Sequence, residues 1–129
     1  MTRKMAREEA FILIFEKAFN TDSVDEILEL ACEVRELKPD EYITKVFKGV
    51  YENLDEIDQM ISSKAIGWKL SRISKTALSV LRLAVFEIKY CDDIPSSVSI
   101  NEAVEICKKY ATKDDSSFVN GILSSVVKE

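Results

Sequence analysis

The chain has 129 residues with 18 basic and 23 acidic side chains and a net charge of −5, the length of one domain of ~100–200 residues. Apolar residues make up 47% and charged ones 32%, which excludes a disordered chain and a uniformly basic nucleic-acid coat. With no His, three Gly and two Pro, the chain lacks the commonest general base and metal ligand and the means for a glycine-rich phosphate loop or a turn-dense β-sandwich.

No stretch approaches the ~20 apolar residues of a membrane span, and Glu8 and Glu9 stand where a signal peptide would be apolar. A soluble, cytoplasmic protein without membrane contact is expected. Cys32, Cys91 and Cys107 lack metal-type spacing, so reduced thiols in or near the core are expected, with no metal and no cofactor.

Charge is unevenly spread. Residues 1–7 carry Arg3, Lys4 and Arg7 and no acid, whereas residues 8–58 carry 15 acids against five bases. Residues 59–86 carry Lys64, Lys69, Arg72, Lys75 and Arg82 without an acid. Two basic islands therefore stand in an acidic chain.

Apolar spacing is helical nearly throughout. A first helix, starting near Thr2, carries Ala6, Ala10, Leu13, Ile14 and Ala18 on one stripe, with Phe11, Phe15 and Phe19 at steps of four on another. Ser23-Val24-Asp25-Glu26 forms a capping box for a second helix that runs towards Lys38-Pro39. Pro39 suits the first turn of a third, carrying Ile43 to Ile61 with a break near Asn53-Leu54-Asp55. Gly67-Trp68 marks a loop, and Ser71 or Ser74 caps a helix whose wide apolar face, Ala77 to Ile88, suits the centre of a bundle. After a turn at Asp92–Pro95, Ser99-Ile100-Asn101-Glu102 is expected to be a second capping box. Lys113–Ser117 reads as a polar loop before a last helix from Phe118. The expectation is an all-α compact bundle of six or seven helices in a single domain, residues 1–129.

Nothing in this pattern carries catalysis. Asp92-Asp93 and Asp114-Asp115 fall in expected loops, where Asp serves turns and caps. Arg3, Lys4 and Arg7 instead form a cationic cluster at a helix start, where the helix dipole disfavours them. Phe11 and Phe15 continue the Arg7 row. Cations for phosphates beside an aromatic for stacking make a workable single-strand RNA surface; a solvated terminus with both rings in the core is the other reading. Arg82, among Leu81, Leu83 and Ala84, needs a partner if half-buried, and Glu102 on the next helix is the expected one.

Six strings in order resemble the NusB family of transcription antitermination factors over essentially the whole chain. They are Arg3-Lys4-Met5-Ala6-Arg7-Glu8, Arg72-Ile73-Ser74-Lys75, Val80-Leu81-Arg82-Leu83-Ala84-Val85-Phe86-Glu87-Ile88, Ile94-Pro95, Ile100-Asn101-Glu102-Ala103-Val104-Glu105 and Phe118-Val119-Asn120-Gly121-Ile122-Leu123. The resemblance implies a NusB-like helical bundle, not an enzyme, that binds the boxA element of nascent ribosomal RNA with NusE, a small-subunit ribosomal protein. It also implies joining NusA, NusG and RNA polymerase, with no DNA contact.

By the same resemblance Arg3, Lys4, Arg7, Phe15, Asp114, Phe118 and Asn120 fall on the RNA surface. The partner surface falls on the helix from Lys75, where Ala77-Leu78 replaces an acidic–basic pair of many relatives and implies a more apolar or shifted contact. If Arg3, Lys4 and Arg7 each neutralise a phosphate, the log–log salt slope of RNA binding is about −2. Two alternatives remain. One is the helical domain that precedes the catalytic part of Sun/Fmu-type ribosomal RNA cytosine methyltransferases, disfavoured because no catalytic domain follows. The other is a protein-interaction or homodimerisation module built on surface Phe residues.

Overall fold

The computed structural model describes residues 1–38 and 40–128 and has no strand among them. Its α-helices are α1 (Arg3–Lys17), α2 (Val24–Val34), α3 (Glu41–Glu52), α4 (Leu54–Lys64), α5 (Lys75–Tyr90), α6 (Ser96–Tyr110) and α7 (Lys113–Val127), with a 3-10 turn at Leu70–Arg72. Short polar side chains open most of them by accepting amide hydrogens that would otherwise lack partners. Thr2 accepts from Met5 N, Asp40 from Ile43 N, Ser74 from Ala77 N and Thr112 from Asp115 N. At α2 the expected capping box forms in full, with Ser23 and Glu26 each bonding the other's amide. Pro39, expected in the first turn of α3, lies outside the described residues.

Three expected boundaries are corrected. α2 stops at Val34, short of Lys38. Ser99 does not cap α6, because the helix already begins at Ser96, directly after Pro95. Pro95 sets the entry, and Ser99 lies buried one turn in, bonded to another helix. Lys113–Ser117 is the first turn of α7 rather than a loop. Thr112 supplies its cap, and Asp114 and Asp115 sit where the helix dipole favours acids.

α5 is the axis of the bundle and packs against α1, α3, α4, α6 and α7, while α2 lies outside against α1 and α3. Its breadth of apolar surface explains this place, since a helix apolar nearly all round must be covered on every side. Leu81, Ala84, Val85 and Phe86 join Leu13 and Ile14 of α1, Ile43, Val46 and Phe47 of α3, and Leu123 of α7 in one contiguous core. Gly49 lets α3 approach α5 closely: a Cβ there would overlap the ring of Phe86. Cys91 and Cys107 are buried free thiols and Cys32 is half-buried. Burial raises the Cys107 pKa to about 11, so this thiol is protonated and unreactive near neutrality. Among the described residues no helix is long and apolar enough to cross a membrane.

Candidate nucleic-acid interface

The basic start of α1 divides in two. Arg3 and Lys4 are exposed, but Arg7 is only 3% exposed and its Nε donates to Glu87 Oε2 at 2.8 Å. Glu87, on α5, is fully buried and also accepts from the Tyr42 hydroxyl on α3 and from Ser99 Oγ on α6, the latter at 2.7 Å. Burial works against the charge of Arg7. The hydrogen bond and charge of Glu87, with a smaller contribution from Glu102, more than offset it, so the guanidinium pKa rises. Arg7 therefore leaves the expected cationic cluster. A carboxylate in the core needs a counter-charge, and the row that Arg7 shares with Phe11 faces inward. Arg3 remains on the surface, its guanidinium 4.5 Å from the centre of the Tyr42 ring.

The expected Arg82–Glu102 pair does not form. Arg82 makes a two-pronged contact with Asp58 on α4, Nε to Oδ1 at 2.9 Å and Nη2 to Oδ2 at 3.0 Å. Arg82 looks towards α4, whereas Glu102 lies with Lys4, Glu8 and Glu105 along the groove between α1 and α6. The planar fork of Arg suits such a bidentate contact.

The phenylalanine row is graded in depth. Phe11 is buried, Phe15 half-buried and Phe19, beyond the end of α1, 65% exposed. Ring centres lie 6.2 Å apart from Phe11 to Phe15 and 5.0 Å from Phe15 to Phe19, and Tyr110 of α6 joins at 5.2 Å from Phe11. The Tyr110 hydroxyl and the Lys109 ammonium, 2.6 Å away, both donate to Glu8 and hold its carboxyl below the usual range. At the other end the Lys75 ammonium sits 5.8 Å over the Phe19 ring. Lys75, expected on a partner surface, thus borders the aromatic strip. Ala77 is fully buried and Leu78 nearly so. These two belong to the core and offer no apolar contact surface.

α7 separates its three expected RNA residues. Asp114 and Phe118, one turn apart, lie at a cleft with Trp68, Arg72, Ile73, Ser74 and Asp115. Asn120 opens on a different groove with Val104, Lys108, Lys113, Ser116 and Ser117. Sequence reasoning missed Lys108, which lines both this groove and the one beside Lys4. It also missed Trp68, whose ring packs edge-on against Phe118 at 5.7 Å. An exposed tryptophan in an expected loop was the available signal.

The resulting surface holds free cations at the start of α1, an aromatic strip ending at Lys75 and an aromatic cleft beside it. The model of the NusB family matches residues 4–128. The chain belongs to the NusB family. Transcription antitermination protein NusB of Acetivibrio thermocellus is 47% identical over 99% of this chain and 90% of its own length. A T. maritima NusB structure superposes with a TM-score of 0.88 at 35% identity, covering all of this chain and 92% of the other. A crystal structure of antitermination factors NusB and NusE in complex with double-stranded RNA gives 0.88 at 26% identity, covering 98% and 96%. NusB family membership makes the chain a transcription antitermination factor rather than an enzyme.

Proposed function

We propose that this NusB-family chain binds the boxA element of nascent ribosomal RNA together with NusE, and that the pair joins NusA and NusG on RNA polymerase in the cytoplasm to suppress termination. The observation that carries the reading is the exposed pair Arg3 and Lys4 at the start of a helix whose next basic residue, Arg7, has been drawn into the core. Cations at a helix start are disfavoured by its dipole, which supports a use for Arg3 and Lys4 outside the fold. The aromatic strip through Phe15, with Asp114, Phe118 and Asn120 on α7, supplies the remaining surface in this reading. Lys75 marks its edge towards the partner. The related NusB crystallised in complex with NusE and double-stranded RNA supports both partner classes.

Fluorescence anisotropy of a boxA RNA and a scrambled control, with and without NusE, tests this. Tighter boxA binding in the presence of NusE, lost in an Arg3→Ala/Lys4→Ala variant that melts like the parent, is the expected result. Equal weak binding of both RNAs under every condition would overturn the RNA reading.

A further inference from the structure

Tyr42 on α3 is 8% exposed, and its hydroxyl donates to the buried carboxylate of Glu87, which also holds Arg7. Burial, and then the charge of Glu87, raises the pKa of that hydroxyl, so it stays a neutral donor and the ring is pinned at its inner end. Both arginines of α1 lie against this ring. Arg7 is 5.7 Å from its centre, and Arg3, one turn earlier, is 4.5 Å away. Arg3 is exposed beside a recess of about 210 Å³ that Glu41, Lys45 and Asp93 also line. Glu41 and Asp93 are exposed carboxylates, yet Arg3 forms no ion pair or side-chain hydrogen bond with a described residue. Its guanidinium rests on the ring instead. Tyr42 is already fixed by Glu87 and the core, so the fold does not need this contact.

The two kinds of partner leave an arginine in different states. A carboxylate spends its N–H donors on a fork and cancels its charge, whereas a ring holds the cation through its face and leaves the donors unspent. Resting on the RNA-binding reading above, we infer that Tyr42 is a positioning residue of the RNA surface: its ring keeps the Arg3 guanidinium out of a salt bridge with Glu41 or Asp93 and orders it for a backbone phosphate. Glu87 thereby governs both arginines of α1. It withdraws Arg7 into the core and, through Tyr42, presents Arg3. A long side chain ordered before binding loses less freedom when the phosphate arrives, and affinity rises by that difference.

The test is a double-mutant cycle between Tyr42 and Arg3, read as the affinity of the full chain with NusE for end-labelled boxA RNA, at a temperature where circular dichroism shows every variant folded. Tyr42→Leu should weaken binding by about 2- to 12-fold, the equivalent of ordering one long side chain only on binding. Tyr42→Phe keeps the ring and should restore most of the loss. In an Arg3→Ala background Tyr42→Leu should cost nothing further, which a merely structural role for Tyr42 would not produce. Tyr42→Leu equal to the parent, or equally damaging with and without Arg3, would overturn the positioning role while the RNA reading stands. Nuclear magnetic resonance of the RNA-free parent gives a second readout that needs no variant. The δ-methylene protons of Arg3 should be displaced upfield by the ring current of Tyr42, and an unstructured-arginine position would overturn the inference even if Tyr42→Leu failed to fold. A parent chain that shows this displacement but binds no boxA RNA would overturn the RNA reading and with it the role of Tyr42.

Discussion

Glu87 is the residue on which most of the bundle's polar specification converges, because three donors from three other helices meet one buried carboxylate. Replacing a buried pair by apolar groups is often neutral, whereas removing one partner leaves an unpaired charge at a cost of ~3–5 kcal/mol. Glu87→Ala should therefore lose about that much in urea unfolding, and Arg7→Met/Glu87→Leu should recover a large part of it. A Glu87→Ala protein within ~1 kcal/mol of wild type would remove this account. Tyr51 and Cys107 add a dependence on alkaline pH. Burial pushes the Tyr51 hydroxyl, which donates to Ile14 O, up to about 12 from an ordinary 10. It pushes the Cys107 thiol from an ordinary 9 to about 11. The folded state thus holds both protons to higher pH than the unfolded chain does. Their contributions are complete below pH 9 and are lost as pH rises, for Cys107 between about 9 and 11 and for Tyr51 between about 10 and 12. Unfolding free energies measured at pH 7, 9 and 10.5 should fall over the last interval, less steeply in Tyr51→Phe/Cys107→Ala. An identical slope in that variant would assign the loss to other groups.

Between elements, the contacts that fix neighbours are specific enough to separate by double-mutant cycle. Arg82 and Asp58 join α5 to α4 and are each partly shielded from water. Removing either should cost ~1.5–3 kcal/mol, the range for hydrogen bonds to charged groups, with most of that reappearing as coupling energy. Glu102→Ala should show no coupling to Arg82. Coupling between Arg82 and Glu102 instead would restore the pairing expected from sequence. At the α3–α5 crossing, Gly49→Ala gains helix propensity but forces the Phe86 ring aside, and that ring is buried and stacked on Tyr90 at 5.3 Å. A net loss of ~1–3 kcal/mol is expected from such overpacking, and a stabilised variant would show that the ring yields freely. These contacts also mark where sequence legibility ends. Apolar period and caps made the helices and the central place of α5 readable, because both signals are local. Which acid meets Arg82 depends on the rotation of α5 against α4 and α6, which no spacing encodes. Arg7 escapes sequence reading for a related reason: a basic cluster looks solvated until a carboxylate from a residue 80 positions away is found inside the core. The same non-local packing hid the Trp68–Phe118 cleft, whereas Ala77 and Leu78 lie inside as the apolar face of α5 implies and not on the partner surface that the family resemblance implied.

Across the whole molecule, a net charge of −5 leaves only local sites to attract a polyanion. Confining attraction to one strip disfavours indiscriminate RNA, because most orientations present acids to the phosphates. The burial of Arg7 makes this quantitative. With Arg3 and Lys4 as the exposed cations at the start of α1, and ~0.7 counterions released per single-strand phosphate contact, their share of the log–log salt slope is about −1.4 rather than the −2 expected for three. Lys75 adds to it only if RNA extends along the aromatic strip. Anisotropy titrations of boxA RNA between roughly 50 and 200 mM salt separate these contributions. Arg3→Ala/Lys4→Ala should flatten the slope by about 1.4, and Arg7→Met/Glu87→Leu should leave it unchanged because that cation never meets solvent. A slope that falls in the Arg7 double variant as much as in the surface variant would place Arg7 at the phosphate backbone and require the start of α1 to open when RNA binds.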